Sequence, residues 1–315
     1  MILVVNRIPK QQGSALLIAL LITALASILL VQINERLSLD IARTTTIQAA
    51  LRSDEYARGL EVLAGRVLRD ARLADSMIDH SASIWAQPLP TLPIPGGVVT
   101  GRLQSLDGRF NINSLLTQAG EHDSVSQAQF ERLLQNLGLQ ENLVDAITDW
   151  IDADSVALAN GAENDTYASL SNPYRALNRP LLHLSELRQV VGIDNLVFNQ
   201  LAAHISVLPS SERRINVNLA SIPVLMSLHE TIDSNLATQL FQQGRAQYRS
   251  REAFLDMINL NNAALQQLAD RVKTRSDYFL ARADVFLNEN PRRYYSLLQR
   301  NDQGVNVLYR QLGTP

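Results

Sequence analysis

The sequence contains no cysteine, which excludes disulfide bonds, thiol catalysis and cysteine-ligated metal sites. Its five histidines have no metal-ligand spacing, and no H-E-x-x-H pattern occurs, so a histidine metalloenzyme is not indicated. A G-x-S-x-G elbow, a Walker loop and a dinucleotide fingerprint are also missing. The net charge of −3 gives no basic footprint for nucleic acid. These absences favour a non-enzymatic protein without catalytic or cofactor-binding residues.

Charged residues are also missing from Ser14 to Asn34, directly after a short basic leader that ends at Gly13. About 20 apolar residues of helix cross a bilayer core of about 30 Å. An ordinary secretory signal is cleaved after its apolar run, whereas the polar cut-point here precedes it. Cleavage after Gly13 would leave the helix on the mature protein. Arg7 and Lys10 favour a cytoplasmic N-terminus for this single-pass anchor. In a Gram-negative bacterium the anchor would lie in the inner membrane and the bulk of the chain in the periplasm. A plain signal-anchor explains the same run and stays open.

The rest of the chain predicts an amphipathic helix to about Met77, then strands, a helical block and strands again. Residues 87–97 hold four prolines and two glycines and predict an extended linker. A strand pair is expected at Val98–Gln104 and Arg109–Ile112. The predicted segments are a leader (1–13), a membrane or fibre-core helix (14–34), an amphipathic helix (35–78), a linker with first strands (79–112), an inserted helical domain (113–270) and a C-terminal β part (271–315).

Two amphipathic hairpins are predicted within the helical block, around Gly138 and Gly192, with Ser185 as a helix N-cap. The stretch RRINVNLA echoes GRFNINSL upstream and indicates a weak internal repeat. Two alternating apolar runs around residues 301–304 predict a closing hairpin. The fold class that explains this order is α+β, with a long N-terminal helix on a small antiparallel sheet and a large all-α domain inserted between strands.

Five carboxylates lie within seventeen residues in the helical block: Asp149, Asp152, Asp154, Glu163 and Asp165. Hard oxygen ligands at such spacing are what Ca²⁺ needs to reach six to eight contacts. Asp152 and Asp154 fit the start of an EF-hand loop and Glu163 its twelfth position, but Ala157 replaces the glycine of the sixth. A solvated acidic loop that caps the preceding helix is the alternative.

The leader, the apolar helix and the β-rich end together resemble type IV pilin-like proteins. The stretches DWIDADSVALANGAENDTY, NPYRALNRPLLHLSELRQVVG and INVNLAS resemble one branch, the general secretion pathway protein K family, the large minor pseudopilins of the type II secretion system. The resemblance implies that a prepilin peptidase cuts between Gly13 and Ser14 and that the new amino group is methylated. It also implies structural Ca²⁺ in the helical domain, carried over onto Asp152, Asp154, Glu163 and Asp165, with Asp149 as a further ligand.

The same resemblance implies a tip subunit that initiates or caps the pseudopilus for export of folded proteins. The implied partners are minor pseudopilins I, J and H, the inner-membrane secretion platform, and secreted cargo or the secretin. Ile18 occupies the fifth mature position, where most pilin-like proteins carry glutamate. A buried carboxylate is tolerable only when paired, and a tip subunit has no neighbour above it to supply the pairing ammonium. A signal-anchor that never polymerises would equally lack the glutamate.

A membrane-anchored periplasmic DNA-binding protein is the alternative from another class. The two hairpins resemble helix-hairpin-helix units, which grip phosphate through backbone N–H groups at G-x-G. Here the second glycine is replaced by Gln140 in one hairpin and by Asp194 in the other. A carboxylate at that position would repel phosphate, and the net charge is negative, so no nucleic-acid partner is expected.

Overall fold

The computed structural model of the chain describes residues 12–73, 78–209, 212–287 and 290–313. It divides the chain between Glu55 and Tyr56 into two compact units. Helix α1 (Gln12–Leu73) is continuous over 62 residues. Most of the predicted leader lies outside the described residues, as does Met77.

The first part of α1 exposes its apolar side chains. The most hydrophobic 18-residue window has a mean hydropathy of 2.7, and none of it is buried. Its length and composition suffice to cross a membrane. The second part behaves differently, because Leu60, Ala64 and Leu68 are buried against a sheet. Gly101 on that sheet lies where the Leu60 side chain leaves no room for a Cβ atom.

The strands within the described residues are β1 (Leu89–Ile94), β2 (Gly97–Ser105), β3 (Phe110–Asn111), β4 (Ile205–Ser206), β5 (Ile215–Asn216), β6 (Val272–Lys273), β7 (Tyr278–Leu287), β8 (Asn290–Asn301) and β9 (Gly304–Leu312). Five of them form one antiparallel sheet in the order β1-β2-β7-β8-β9. The helical domain is inserted between β2 and β7, which pair directly. This arrangement confirms the predicted α+β class.

Two local predictions about the first strands are wrong. The proline-rich stretch 87–97 is not a free linker, since β1 pairs along β2 as the edge strand of the sheet. Pro90 and Pro93 are tolerated there because an edge strand has one side without ladder hydrogen bonds. Residues 109–112 do not pair with 98–104 either. Their strand β3 instead runs parallel to β4 inside the insert.

The inserted domain has its own extended apolar core. Its helices are α2 (Ser124–Asn136), α3 (Leu143–Ile151), α4 (Asn164–Ala168), α5 (Asn195–Ala202), α6 (Ile222–Leu228), α7 (Ser234–Phe241), α8 (Arg251–Leu255) and α9 (Asn262–Ala269), with a 3₁₀ helix at Leu184–Gln189. The predicted N-cap Ser185 is wrong. It lies inside the 3₁₀ turn, and Glu186 accepts the N–H groups of Leu182 and His183 at the turn's start.

The internal repeat forms two matched structural units. Each begins with an N-x-N strand, β3 or β5, and each pairs that strand in parallel with the strand that follows the unit's last helix. The amide of Asn113 bridges the backbone N–H and C=O of Leu181, both at 2.9 Å. The amide of Asn218 bridges Tyr248 in the same way, at 3.1 and 2.7 Å. The two units therefore share one hydrogen-bonding plan.

Candidate functional site

The acidic loop connects α3 to α4 and is fixed at both ends by buried aromatic residues. Trp150 near the end of α3 and Tyr167 in α4 are nearly inaccessible, and their rings lie 4.8 Å apart, edge to face. Asp152 takes an extended conformation directly after α3, which ends the helix. Glu163 lies in an extended conformation directly before α4. The packing of the two helices therefore brings the two ends of the loop together.

Asp152, Asp154 and Glu163 form a carboxylate cluster, with one oxygen of each lying within 4.8 Å of the others. Asp152 and Glu163 are buried, whereas Asp154 is exposed. Both Glu163 oxygens and Asp152 Oδ1 are buried without a hydrogen-bond partner among the described residues. Buried acceptors without donors are costly, and carboxylates especially so. Among the described residues, no lysine or arginine pairs with these three carboxylates.

The pKa values of two carboxylates in the cluster are raised. Burial, together with the neighbouring carboxylates Asp152 and Asp149, raises the pKa of Glu163. Burial also raises the pKa of Asp152, and Asp154 adds to the shift while a hydrogen bond to His122 opposes it. A divalent cation would remove this penalty, because each carboxylate would then face positive charge.

Asp149 lies at the back of the cluster and organises the loop. Its carboxylate accepts the backbone N–H of Leu158 at 3.0 Å. A Cβ atom on Gly161 would collide with Asp149 Oδ2, so only glycine fits against this carboxylate. Asp145, which the sequence did not single out, accepts both the backbone and the side-chain N–H of Asn160 at 3.0 Å. Asp165 lies exposed in the first turn of α4, outside the group of three.

Two neighbours of the cluster were missed from the sequence because they are distant along the chain. His122 Nε2 lies 3.0 Å from Asp152 Oδ2. Asn178 donates from its side chain to the carbonyl of Asp154 at 2.6 Å, and its own Oδ1 is buried without a partner among the described residues. Asn178 has a φ of 46°, a left-handed conformation that asparagine tolerates better than most residues. The one signal in the sequence was the residue type itself, because asparagine is one of the few residues that tolerate a left-handed backbone.

The donor set is suited to a hard cation. Carboxylate oxygens of Asp152, Asp154 and Glu163 and the amide oxygen of Asn178 are ligands of the kind that Ca²⁺ prefers. The set lacks the thiolate ligands and the multiple imidazoles of structural zinc sites. The geometry therefore supports a structural role in tying α3 to α4.

The two residues of the predicted processing site, Gly13 and Ser14, lie in the first turn of α1. The predicted hairpins turn at Gly138 and Gly192, whose positive φ values of 68° and 87° suit glycine. At the second hairpin the Asp194 carboxylate accepts the N–H of Val197 at 2.8 Å and caps α5. That carboxylate lies where a DNA-binding hairpin would receive phosphate, so the structure gives no support to the DNA-binding alternative.

Known proteins resemble this chain over nearly its whole length. The family described as "Type II secretion system (T2SS), protein K" matches residues 108–210. A type II secretion system protein K of Pectobacterium carotovorum is 34% identical over 321 residues, covering 96% of this chain and 97% of the relative. The one of Pseudomonas aeruginosa is 32% identical over 317 residues, covering 96% and 93%.

A solved structure is similar as well. In the crystal structure of the GspK-GspI-GspJ complex from the type 2 secretion system of enterotoxigenic Escherichia coli, one chain superposes with a TM-score of 0.76 at 26% identity. The match covers 87% of this chain and 100% of that one.

Proposed function

The chain belongs to the type II secretion system protein K family, and we propose that this minor pseudopilin caps the pseudopilus together with minor pseudopilins I and J. The observation that carries the proposal is the exposed apolar part of α1, in which Leu20, Leu25 and Ile28 are all more than half exposed. A surface this apolar needs either a bilayer or other apolar helices. Membership of the family supports both environments for α1: the helix would anchor the protein in the bilayer before assembly and lie in the fibre core afterwards.

A position at the tip is supported by the large insert and by Ile18. The insert adds a whole domain between β2 and β7, which a closely packed fibre interior has little room for. The solved structure that resembles this chain contains GspI and GspJ beside GspK. From the tip the protein would initiate assembly or limit fibre length, with minor pseudopilin H, cargo and the secretin as further partners. It does so as a structural, non-enzymatic subunit.

Topology follows the same proposal. The basic leader keeps the N-terminus in the cytoplasm, and α1 crosses the inner membrane once. The bulk of the chain then lies in the periplasm. The prepilin peptidase removes the leader on the cytoplasmic side of the membrane, and the secretion platform can afterwards extract α1 from the bilayer.

We also propose that the carboxylate cluster holds Ca²⁺. Asp152, Asp154 and Glu163 would supply charged ligands, with Asn178 as a neutral one. The ion would supply positive charge to carboxylates that the fold has removed from water. Asp149 and Asp145 fix the conformation of the loop by accepting the backbone N–H groups of Leu158 and Asn160. Asp165 would join the ligands only by a change in the first turn of α4.

The assembly proposal is tested by a charge on the helix surface beyond the membrane segment. Ile47 is 60% exposed on α1, and Ile47→Glu should abolish co-purification of tagged pseudopilins I and J with the full-length protein from detergent. Thr45→Glu is the control, because Thr45 is exposed on the opposite side of the same turn. Both variants should reach the membrane in equal amounts. Full recovery of I and J with Ile47→Glu would contradict the proposed packing.

A further inference from the structure

A cavity of about 470 Å³ lies between part of the inserted domain and the sheet. Side chains of β2 and β7 alternate between the two sheet faces, so Leu103 and Phe279 face α1 while Arg102 and Leu280 face the cavity. Opposite the sheet, the 3₁₀ turn at Leu184–Gln189, α5 and β4 form the other wall. This cavity is separate from the carboxylate cluster, and none of its lining residues belongs to that cluster.

Four arginines line the cavity, and three of them have no carboxylate partner among the described residues. Arg102 is exposed on β2 and makes no hydrogen bond or ion pair to the described chain. Arg109 is half-buried and donates to the carbonyl of Ala202 at 3.3 Å. Arg188 stacks over the Phe198 ring at 3.7 Å and bonds the Asn195 amide oxygen. Arg282, by contrast, pairs with Asp284 at 2.6 Å.

No aspartate or glutamate lines the cavity in the described part of the chain. This contrasts with the molecule as a whole, which carries a net charge of −3. Tyr309 adds a hydroxyl without a hydrogen-bond partner among the described residues, and a tyrosine hydroxyl is a donor at neutral pH. The polar lining thus offers donors and positive charge to a ligand.

Much of the remaining lining is apolar. Leu106, Leu184, Val207 and Leu280 surround the arginines, and the Phe198 ring supports one of them. The volume falls within the range of about 300–1,000 Å³ that binds organic ligands. A small inorganic anion would leave the apolar walls exposed to water, whereas a peptide can place carboxylates and apolar side chains side by side.

We propose that this cavity, lined by Arg102, Arg109 and Arg188, binds an acidic segment of a partner protein in which carboxylates alternate with apolar side chains. Guanidinium groups pair with carboxylates bidentately, and the pairing strengthens where water is partly excluded. The inference does not depend on bound calcium or on the position in the fibre.

The test uses the full-length protein in detergent and a hexapeptide of alternating glutamate and leucine, blocked at both ends. Because the chain has no cysteine, Ser185→Cys at the cavity rim gives a single labelling site for an environment-sensitive fluorophore. The label should respond saturably to the peptide and weaken in response as salt rises. The same label at exposed Ser169→Cys, outside the cavity, should not respond. A peptide with glutamine for glutamate should bind at least tenfold more weakly.

Substitutions then locate the binding energy. Arg102→Gln and Arg188→Gln, both at exposed positions, should each weaken binding of the peptide about tenfold. Arg249→Gln, an exposed arginine of another cavity, should leave binding unchanged. Equal weakening by Arg249→Gln, equal binding of the glutamine peptide, or full displacement by equimolar inorganic phosphate would overturn the proposal.

Discussion

Buried acids in this protein differ in what balances their charge. Asp79 is paired with Arg300, and Glu61 with Arg310 at 2.5 Å. Asp123 accepts Arg213 at 2.5 Å and Arg271 at 3.1 Å. Asp152 and Glu163 have no arginine or lysine partner among the described residues. A buried carboxylate without a cationic partner costs several kcal/mol. A bound cation would therefore contribute most at Glu163, whose two oxygens have no partner among the described residues, and at Asp152, which has only its contact with His122.

The calcium proposal predicts that Asp152→Asn lowers the melting temperature relative to the parent protein when Ca²⁺ is present but does not lower it in EDTA. In EDTA the variant should melt at the same temperature as the parent protein or higher, because it removes one of three neighbouring carboxylates that repel one another, and the Oδ1 of this carboxylate is buried without a partner among the described residues. In millimolar Ca²⁺ the parent should gain about 5 °C, which corresponds to about 2.7 kcal/mol at a hundredfold excess over Kd, and the variant should gain little. Thermal melts followed by circular dichroism measure both.

Asp233→Asn is the matched control for that experiment. Asp233 caps α7 through the N–H of Leu236 at 2.8 Å, and asparagine caps equally well. The control should respond to Ca²⁺ as the parent does. An Asp152→Asn protein that keeps the full calcium shift would contradict the proposed ligand set. Asp165→Asn, measured alongside, decides whether that exposed residue takes part.

Glu212 predicts a pH-dependent contribution to stability. Burial alone would raise its pKa, but the bonds from Arg214 and the charge of Lys273 outweigh burial and lower that pKa from 4.5 to about 2. A depressed carboxyl pKa stabilises the fold above the unfolded value of 4.5, and the stabilisation is lost as pH falls from 4.5 towards 2. Glu212→Gln should therefore cost about 1–2 kcal/mol at pH 7 and progressively less at pH 4 and pH 3.

Urea unfolding at those three pH values measures the difference between Glu212→Gln and the parent protein. Glu141→Gln, at an exposed position without a described partner, should cost nothing at any of them. A cost for Glu212→Gln that stays constant from pH 7 to pH 3 would show that the side chain acts by packing rather than by charge.

At the scale of elements, periodicity predicted well where one face of an element is buried. The second part of α1, the hairpin β8–β9 and the amphipathic helix α2 follow directly from their apolar spacing. The edge strand β1 could not be predicted this way, because its burial pattern does not alternate and its prolines are typical of linkers. Its pairing with β2 depends on the sheet rather than on its own sequence.

The N-x-N repeat predicts that two distant asparagines are equally sensitive to loss of one amide group. Asn218→Asp replaces the donor that bonds the Tyr248 carbonyl at 3.1 Å with a buried carboxylate oxygen. We expect the free energy of unfolding to fall by about 3 kcal/mol, as it does when a charge is buried without a partner. Asn113→Asp should behave alike, since its amide donates to the carbonyls of Leu181 and Leu208. Urea midpoints measure both.

Asn262→Asp is the control for the repeat. Asn262 is exposed at the start of α9, where a negative charge is favourable, so the substitution should be neutral or slightly stabilising. If Asn218→Asp proved as mild as Asn262→Asp, the two amides would not be the determinants that hold the repeated units together.

At the scale of the whole molecule, the junction between insert and sheet is held by residues that no local pattern connects. Asp79 accepts Trp85 Nε1 at 2.7 Å and the N–H of Ser276 at 2.8 Å, and it pairs with Arg300. Asn216 of the insert donates to the Asp79 carbonyl, 137 positions away in sequence. Such contacts depend on tertiary folding alone, as does the approach of His122 and Asn178 to the acidic cluster. The five acids were evident from the sequence, but their division into three that converge and two that do not was not.

The N-terminal processing site decides between a pseudopilin and a permanent signal-anchor for the molecule as a whole. The intact mass of the protein purified from membranes should equal that of a chain that starts at N-methylated Ser14, because cleavage after Gly13 removes only the leader and keeps the apolar part of α1. Gly13→Val should retain the leader and run as a larger band. Gly59→Val is the control, since Gly59 lies in the same helix with no atom near the position of an added Cβ. That variant should be processed normally. A parent mass that includes the leader, or normal processing of Gly13→Val, would leave α1 as an anchor that cannot enter a fibre.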